Sequence, residues 1–141
     1  MLTLCKATAI VLHLGTLHFP QADNQNFNPG IGATCSLNSH VTIGAGYFRN
    51  SQTPRPSTED NRSWSRQSFY GAIELHTPLF WGFEGGVVAG GATGYRLGAV
   101  APIAGLVLHS PVLEGFRLNA TFGPKTKNNS GLVHFTLSKT F

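Results

Sequence analysis

A glycine-rich stretch from Gly82 to His109, GFEGGVVAGGATGYRLGAVAPIAGLVLH, constrains the fold of this chain more than any other segment. It contains two apolar runs, Val87–Ala92 and Val100–Leu108, on either side of a polar tip at Thr93–Leu97. Inside a helix each glycine costs roughly 1 kcal/mol relative to alanine, so this density of glycine excludes a stable helix. In a strand, glycine marks a bend, a bulge or a close approach of two backbones. The stretch therefore predicts a long, glycine-kinked hairpin in the wall of a small, tightly curved barrel.

Period-two alternation and turn signals predict eight strands along the whole chain. They are Ala9–Phe19, Ile31–Leu37, His40–Arg49, Ser65–Thr77, Phe83–Ala92, Ala99–His109, Gly115–Gly123 and Gly131–Phe141. No segment shows a convincing helical pattern. Because most links are short, consecutive strands are expected to pair, and eight such strands close into a barrel with a filled or narrow interior. The predicted fold class is all-β, an eight-stranded antiparallel up-and-down β-barrel.

The chain is expected to form a single domain over residues 1–141. Residues 1–8 are predicted to be an N-terminal extension, and residues 50–64, rich in Ser, Thr, Pro and charge, a long flexible loop. No apolar run reaches the roughly 18 residues of a spanning helix. The first strand begins so early that it leaves little room for a signal peptide, so the expectation is a chain not exported by a cleavable signal.

The later strands each have one apolar and one polar face. The seventh strand places Phe116, Leu118, Ala120 and Phe122 opposite Arg117, Asn119 and Thr121, and the eighth strand alternates in the same way. Two arrangements fit this pattern: the apolar face meets lipid around a polar lumen, as in outer-membrane barrels, or it faces inward and the polar face meets water. Lys139 on the apolar side argues mildly against a lipid face, although from a strand end it can snorkel.

Composition limits the classes of function. Charged residues make up 11% of the chain, against roughly 25% in soluble domains, which fits a surface partly covered by lipid or by other protein. The net charge is +4, but the basic residues are scattered, without a basic stripe interleaved with aromatics, so specific nucleic-acid binding is not predicted. Cys5 and Cys35 have no metal or redox spacing, and they are predicted to be free, partly buried thiols.

The six histidines raise the possibility of a metal site, but their spacing does not support it. His13 and His18 are five residues apart, so on one regular strand they would point to opposite faces. No Cys/His pair has the spacing of zinc ligands, and neither a metal nor a cofactor is predicted. Ser110 lies between His109 and Pro111 and is predicted to cap a turn rather than to act as a nucleophile.

Four motifs carry a family resemblance: GYFRNS (Gly46–Ser51), SFYGAIE (Ser68–Glu74), VAGGATGYRLGAVAPIAG (Val88–Gly105) and NNSGLVHFTLSKTF (Asn128–Phe141). In these motifs the chain resembles the outer-membrane lipid A palmitoyltransferases. It resembles more closely the short palmitoyltransferase-like barrel proteins encoded by tailed bacteriophages and some of their hosts. The resemblance covers about two-thirds of the chain, and it implies an eight-stranded antiparallel barrel.

The resemblance also implies a set of site residues. In that family a palmitoyl chain occupies the barrel interior, and a histidine of the first strand acts with an adjacent Asp-Ser pair. The histidine matches His13, with His18 as a rival, and the serine matches Ser51. The aspartate position holds Asn50, which can neither accept a proton nor carry a negative charge. The floor of the family's acyl pocket falls near Glu74, where an unpaired carboxylate would be costly to bury.

The sequence therefore favours a protein that keeps the barrel fold of this family but has lost its acyl-transfer activity. The preferred hypothesis is a non-enzymatic, phage-encoded structural or binding protein, located in the virion or in the host cytoplasm before assembly. Its partners would be proteins of the viral particle or further copies of the chain, with lipid as a possible ligand. One alternative is an outer-membrane enzyme that transfers palmitate from phospholipid to lipid A, with His13, Asn50 and Ser51 at its catalytic site. A second alternative is a soluble barrel that binds lipid or another small ligand.

Overall fold

The computed structural model describes residues 4–20, 26–50, 67–95, 100–126 and 130–141. In these residues eight antiparallel strands form a closed barrel, in which each strand pairs with its neighbours in sequence and the first pairs with the last. The predicted fold class is confirmed. The strands are β1 (Ala7–Phe19), β2 (Phe27–Ser36), β3 (Val41–Arg49), β4 (Gln67–Pro78), β5 (Glu84–Ala92), β6 (Ala101–His109), β7 (Phe116–Gly123) and β8 (Gly131–Thr140).

The glycine-rich stretch forms the hairpin that its sequence predicts. β5 and β6 pair without interruption from Glu84 opposite His109 to Ala92 opposite Ala101. Elsewhere the predicted strand limits are close to the observed ones, except that β2 begins at Phe27 and β1 already at Ala7. Most of the predicted flexible loop, from residue 51 onward, lies outside the described residues. Nothing in the described residues forms a helix long and apolar enough to cross a membrane.

The wall of the barrel is apolar on the outside and largely polar on the inside. Along β1 the exposed Ile10, Leu12 and Leu14 alternate with the buried Val11 and His13. Exposed large apolar side chains occur on six of the strands, at Ile10, Leu12, Leu14, Leu17, Phe19, Phe27, Ile31, Phe69, Ile73, Leu75, Val87, Leu106, Leu108, Phe116, Leu118 and Phe122. Of the two arrangements that fit the sequence, the structure has the apolar face outward.

A β-bulge in β1 changes the direction of its histidines. The pairing of β1 with β8 passes from His13 opposite Thr136 to Gly15 opposite Phe135, so Leu14 is an extra residue of β1 relative to β8. An inserted residue reverses the alternation beyond it. His13 and His18 are consequently both buried inside the barrel, at 9% and 8% exposure, and the prediction that they point to opposite faces is wrong.

Inward-facing glycines allow the wall to curve tightly. A Cβ atom on Gly90 would lie 2.2 Å from the carbonyl oxygen of Gly71 on the neighbouring strand, and one on Gly46 would lie 2.5 Å from the Cα atom of Gly32. These neighbours are backbone atoms, which cannot swing away as a flexible side chain can. The close backbone approach that the glycine content predicted is therefore present at both positions.

We expect Gly90→Ala to destabilise the barrel by about 1–3 kcal/mol, because the added methyl group overlaps the β4 backbone and must push two paired strands apart. Gly71→Ala is the matched control, since a Cβ atom there has no neighbour within 4 Å. The measurement is the urea concentration at which the protein loses its compact folded form. On a gel run without heating, that form migrates as a faster band than the unfolded chain. Equal midpoints for the two variants would contradict this explanation of the curvature.

The two rims of the barrel differ in the length of their connections. At the short-turn rim, where β1 begins and β8 ends, the links are 37–40, 79–83 and 110–115. At the long-loop rim the links are 20–26, 50–66, 93–100 and 124–130. An even number of strands, an outward apolar band and this asymmetry of turns and loops are all characteristic of outer-membrane barrels.

The two cysteines form a disulfide, so the prediction of free thiols is wrong. Cys5 and Cys35 are bonded, with their Cα atoms 5.1 Å apart. The reason is the register of β1 and β2, which sets Thr8 opposite Cys35 and brings the preceding residues of the chain alongside it. A separation of 30 residues in sequence carries no sign of this pairing. Disulfides persist mainly in oxidising compartments, such as the bacterial periplasm.

Ser110 lies in the turn between β6 and β7, as predicted for a capping residue. Its hydroxyl oxygen accepts a hydrogen bond from the backbone N–H of Leu118 at 3.0 Å and donates to the carbonyl oxygen of Pro111 at 3.0 Å. The neighbouring His109 is bonded to Glu74 and Asn119 instead.

Candidate functional site

The polar residues of the lumen form two clusters. The first, which we call the histidine layer, lies nearer the long-loop rim and consists of Thr16, His134, His13 and Tyr70. His134 Nδ1 lies 2.7 Å from the Thr16 hydroxyl, and its Nε2 lies 2.8 Å from His13 Nδ1. His13 Nε2 lies 3.0 Å from the Tyr70 hydroxyl. The four side chains thus form one continuous hydrogen-bonded row.

The histidine layer spans five neighbouring strands, from β8 through β1 to β4. The bond between His13 on β1 and Tyr70 on β4 passes over β3 and β2, where the Tyr70 side chain lies against Gly46 and Gly32. Phe48 stacks on the His13 ring with centroids 5.3 Å apart. Gly32 leaves room for the tyrosine, since a Cβ atom there would overlap the Tyr70 hydroxyl oxygen at 2.3 Å. At this level the interior is occupied by side chains.

The other residues of the predicted catalytic set are separate from this row. Asn50 is 1% exposed at the end of β3, and its Nδ2 donates to the Ser68 hydroxyl at 3.1 Å and to the carbonyl oxygen of Gly94 at 3.2 Å. Burial raises the pKa of Tyr95 to about 12, against the opposing effect of its hydrogen bond with Ser68. Ser51 lies outside the described residues. The roles of His13, Asn50 and Ser51 in catalysis remain predictions.

The second cluster, which we call the charged layer, lies nearer the short-turn rim. Arg117 donates to Glu84 Oε2 at 2.8 Å. His76 Nδ1 lies 3.2 Å from the same oxygen, without the geometry of a hydrogen bond. His109 Nε2 lies 2.5 Å from Glu74 Oε1, so the carboxylate that sequence reasoning placed on an apolar floor has a partner.

Neutral polar groups extend the charged layer around the wall. Asn119 accepts from or donates to three neighbours: its Oδ1 lies 2.8 Å from His109 Nδ1, and its Nδ2 donates to Thr136 at 3.1 Å and to Ser138 at 3.2 Å. Each carboxylate of the charged layer contacts a basic side chain, whereas His76 Nδ1 and Arg117 Nε have no hydrogen-bond partner within the protein.

Neither layer has the geometry of a metal site. Among the described residues no group of three or more His, Cys, Asp or Glu side chains is arranged so that it could hold a metal ion. The sequence analysis did not identify Tyr70, His134, Glu84 and Arg117 as side chains that meet inside the barrel. The alternation itself could have found two of them, because Arg117 lies between Phe116 and Leu118 and His134 lies between Val133 and Phe135.

The comparisons with known proteins agree with this architecture. No family model and no curated protein sequence matches the chain. Among solved structures, the de novo designed protein TMB2.3 is similar at a TM-score of 0.66 and 17% identity, with 99% of this chain and 97% of that one covered. The N-terminal β-barrel domain of Pseudomonas aeruginosa OprF is similar at a TM-score of 0.61 and 14% identity, with 97% and 98% covered.

At these identities the likeness establishes the fold alone. The chain is a small eight-stranded β-barrel that resembles outer-membrane barrels. No family match supports the narrower resemblance to palmitoyltransferases or to phage proteins, which stays a hypothesis.

Proposed function

We propose that the chain is a non-enzymatic barrel protein that resides in a lipid bilayer and displays the connections of its long-loop rim. The observation that carries the proposal is the outward apolar band. Soluble monomers rarely expose contiguous apolar patches larger than a few hundred Å². Here exposed leucine, isoleucine, valine and phenylalanine side chains recur on six strands around the barrel. Lipid covers such a surface on all sides, whereas a single protein partner covers one side.

The contents of the lumen support a structural rather than a catalytic role. In the palmitoyltransferase hypothesis the acyl chain occupies the barrel interior. At the level of His13 that space holds the row from Thr16 to Tyr70 with Phe48 against it. An acyl chain would have to displace hydrogen-bonded side chains and leave their polar atoms unpaired against hydrocarbon, which is costly. Asn50, in place of an aspartate, also lacks the charge that acyl transfer by the resembling family requires.

The lumen network also explains how a small barrel can serve as a rigid support. Side-chain hydrogen bonds of the histidine layer tie β8, β1 and β4 together, so the rim above them is held in place. Arg49 and Lys125 are exposed at the long-loop rim, where positive charge favours an acidic partner surface. The phage-virion hypothesis is compatible with this role only where lipid or a ring of protein covers the apolar band.

Folding into vesicles tests the proposal. We expect the urea-unfolded chain to fold into phosphatidylcholine vesicles, to float with them in a density gradient, and to resist extraction by carbonate at high pH. The folded band should migrate faster than the boiled band on a gel, as compact barrels do. A monodisperse, folded monomer in buffer without detergent or lipid would overturn residence in the bilayer. Palmitate transfer to lipid A that is lost in Ser51→Ala would overturn the non-enzymatic role.

A further inference from the structure

A groove runs along the outside of the barrel where β7, β8 and β1 meet, next to the short-turn rim. The pairing of Lys139 with Ile10 on one side and with Phe116 on the other sets these three side chains in a row on the outer face. The groove has a volume of about 120 Å³ and is lined by Ile10, Leu12, Phe116, Leu137, Ser138, Lys139 and Phe141. The lining is mostly apolar, and its one charged side chain, Lys139, lies next to the rim.

Lys139 is fixed at the rim end of this groove. Its ammonium group donates to the carbonyl oxygen of Glu114 at 2.6 Å and lies 4.2 Å from the centroid of the Phe116 ring. An ammonium group has three N–H donors, so two remain for a further acceptor. The side chain thus covers apolar surface with its methylene groups and holds its charge at the edge of the apolar band.

The surroundings of Lys139 favour a negatively charged ligand. Lys6 is exposed just before β1 and continues the outward alternation of Ile10 and Leu12, so it adds a second cation beyond the groove. Among the outward-facing charged side chains described at the short-turn rim, Lys6 and Lys139 are the cations and Glu114 carries the one carboxylate. An apolar groove with a cation beside the rim, where a bilayer would place its headgroups, matches an acyl chain joined to a phosphate.

We propose that this groove binds one anionic glycerophospholipid, with an acyl chain along Ile10, Leu12 and Leu137 and the headgroup phosphate on Lys139. The proposal rests on residence in a bilayer, since the groove opens onto the apolar band. Attraction of one lysine to an anionic lipid surface corresponds to about a fivefold preference over a zwitterionic lipid.

Native mass spectrometry of the folded barrel released from nanodiscs tests the site. The nanodiscs contain equal amounts of phosphatidylglycerol and phosphatidylcholine with identical acyl chains. We expect one retained lipid per barrel, with phosphatidylglycerol favoured about fivefold. Lys139→Gln should reduce the ratio toward one while keeping the Glu114 contact available through its amide. Lys125→Gln, which removes a lysine from the opposite rim, is the matched control and should leave the ratio unchanged.

The other outcomes each count against the site. Equal retention of the two lipids by the unaltered chain, or an equal loss of preference in Lys125→Gln, would overturn it. A second copy of the chain in place of lipid would show that the groove is an interface between barrels, and would also overturn the lipid site.

Entry into pure phosphatidylcholine vesicles is scored separately. A chain that enters these vesicles but shows no lipid preference therefore refutes the lipid site and leaves residence in the bilayer standing. A variant that loses its fast-migrating band is replaced by Lys139→Met, which must give the same reduced ratio.

Discussion

Replacing Arg117 by methionine is expected to lower the free energy of unfolding by about 3 kcal/mol, the lower end of the range for breaking a buried ion pair. The substitution keeps much of the side-chain volume but leaves Glu84 without the guanidinium group that donates to it at 2.8 Å. The two side chains are 21% and 23% exposed, so solvent relieves part of the penalty. The measurement is urea unfolding of the barrel in phosphatidylcholine vesicles, followed by tryptophan fluorescence.

The double variant separates lost charge balance from lost packing. Replacing Glu84 by glutamine in the Arg117→Met background removes both charges, and stability should return to within about 1 kcal/mol of the unaltered chain. Lys125→Met, at an exposed position of the long-loop rim, should change stability by less than about 0.5 kcal/mol. A double variant as unstable as Arg117→Met would show that the arginine acts through its packing.

Replacing Ile73 by arginine should cost about 2–4 kcal/mol in a bilayer, because the charge would lie at the midplane of the apolar band. Ile73 is 46% exposed and lies near the middle of β4, with Ile43 opposite it on β3. The unfolding free energy in phosphatidylcholine vesicles is the quantity to compare.

An arginine substitution at the short-turn rim is the control for depth in the membrane. Leu113 is 77% exposed in the turn between β6 and β7, so Leu113→Arg should cost no more than about 1 kcal/mol. The size of the effect distinguishes the solvents: in water, an arginine at a half-exposed position such as Ile73 would be close to neutral. Equal, small costs at the two positions would therefore contradict residence in a bilayer.

Part of the candidate site was accessible from the sequence and part was not. His13 was identified through the family resemblance, and it lies at the centre of the histidine layer. Its partners Tyr70 and His134 are 57 and 121 residues away along the chain, so only closure of the barrel brings them together. The bulge at Leu14 was hidden for a related reason: an extra residue is recognised by the register of the neighbouring strands, not by the strand's own composition.

The sequence by itself determined the eight strands, their order and the curvature of the wall, because alternation, turn residues and glycine act within or between adjacent segments. It determined also that each strand has one apolar and one polar face. Only the tertiary structure decided which face is outside, since alternation is symmetric between the two sides of a sheet. Closure likewise decided the Cys5–Cys35 disulfide and the pairing of Glu74 with His109, because contacts across a barrel depend on register and shear rather than on local residue pattern.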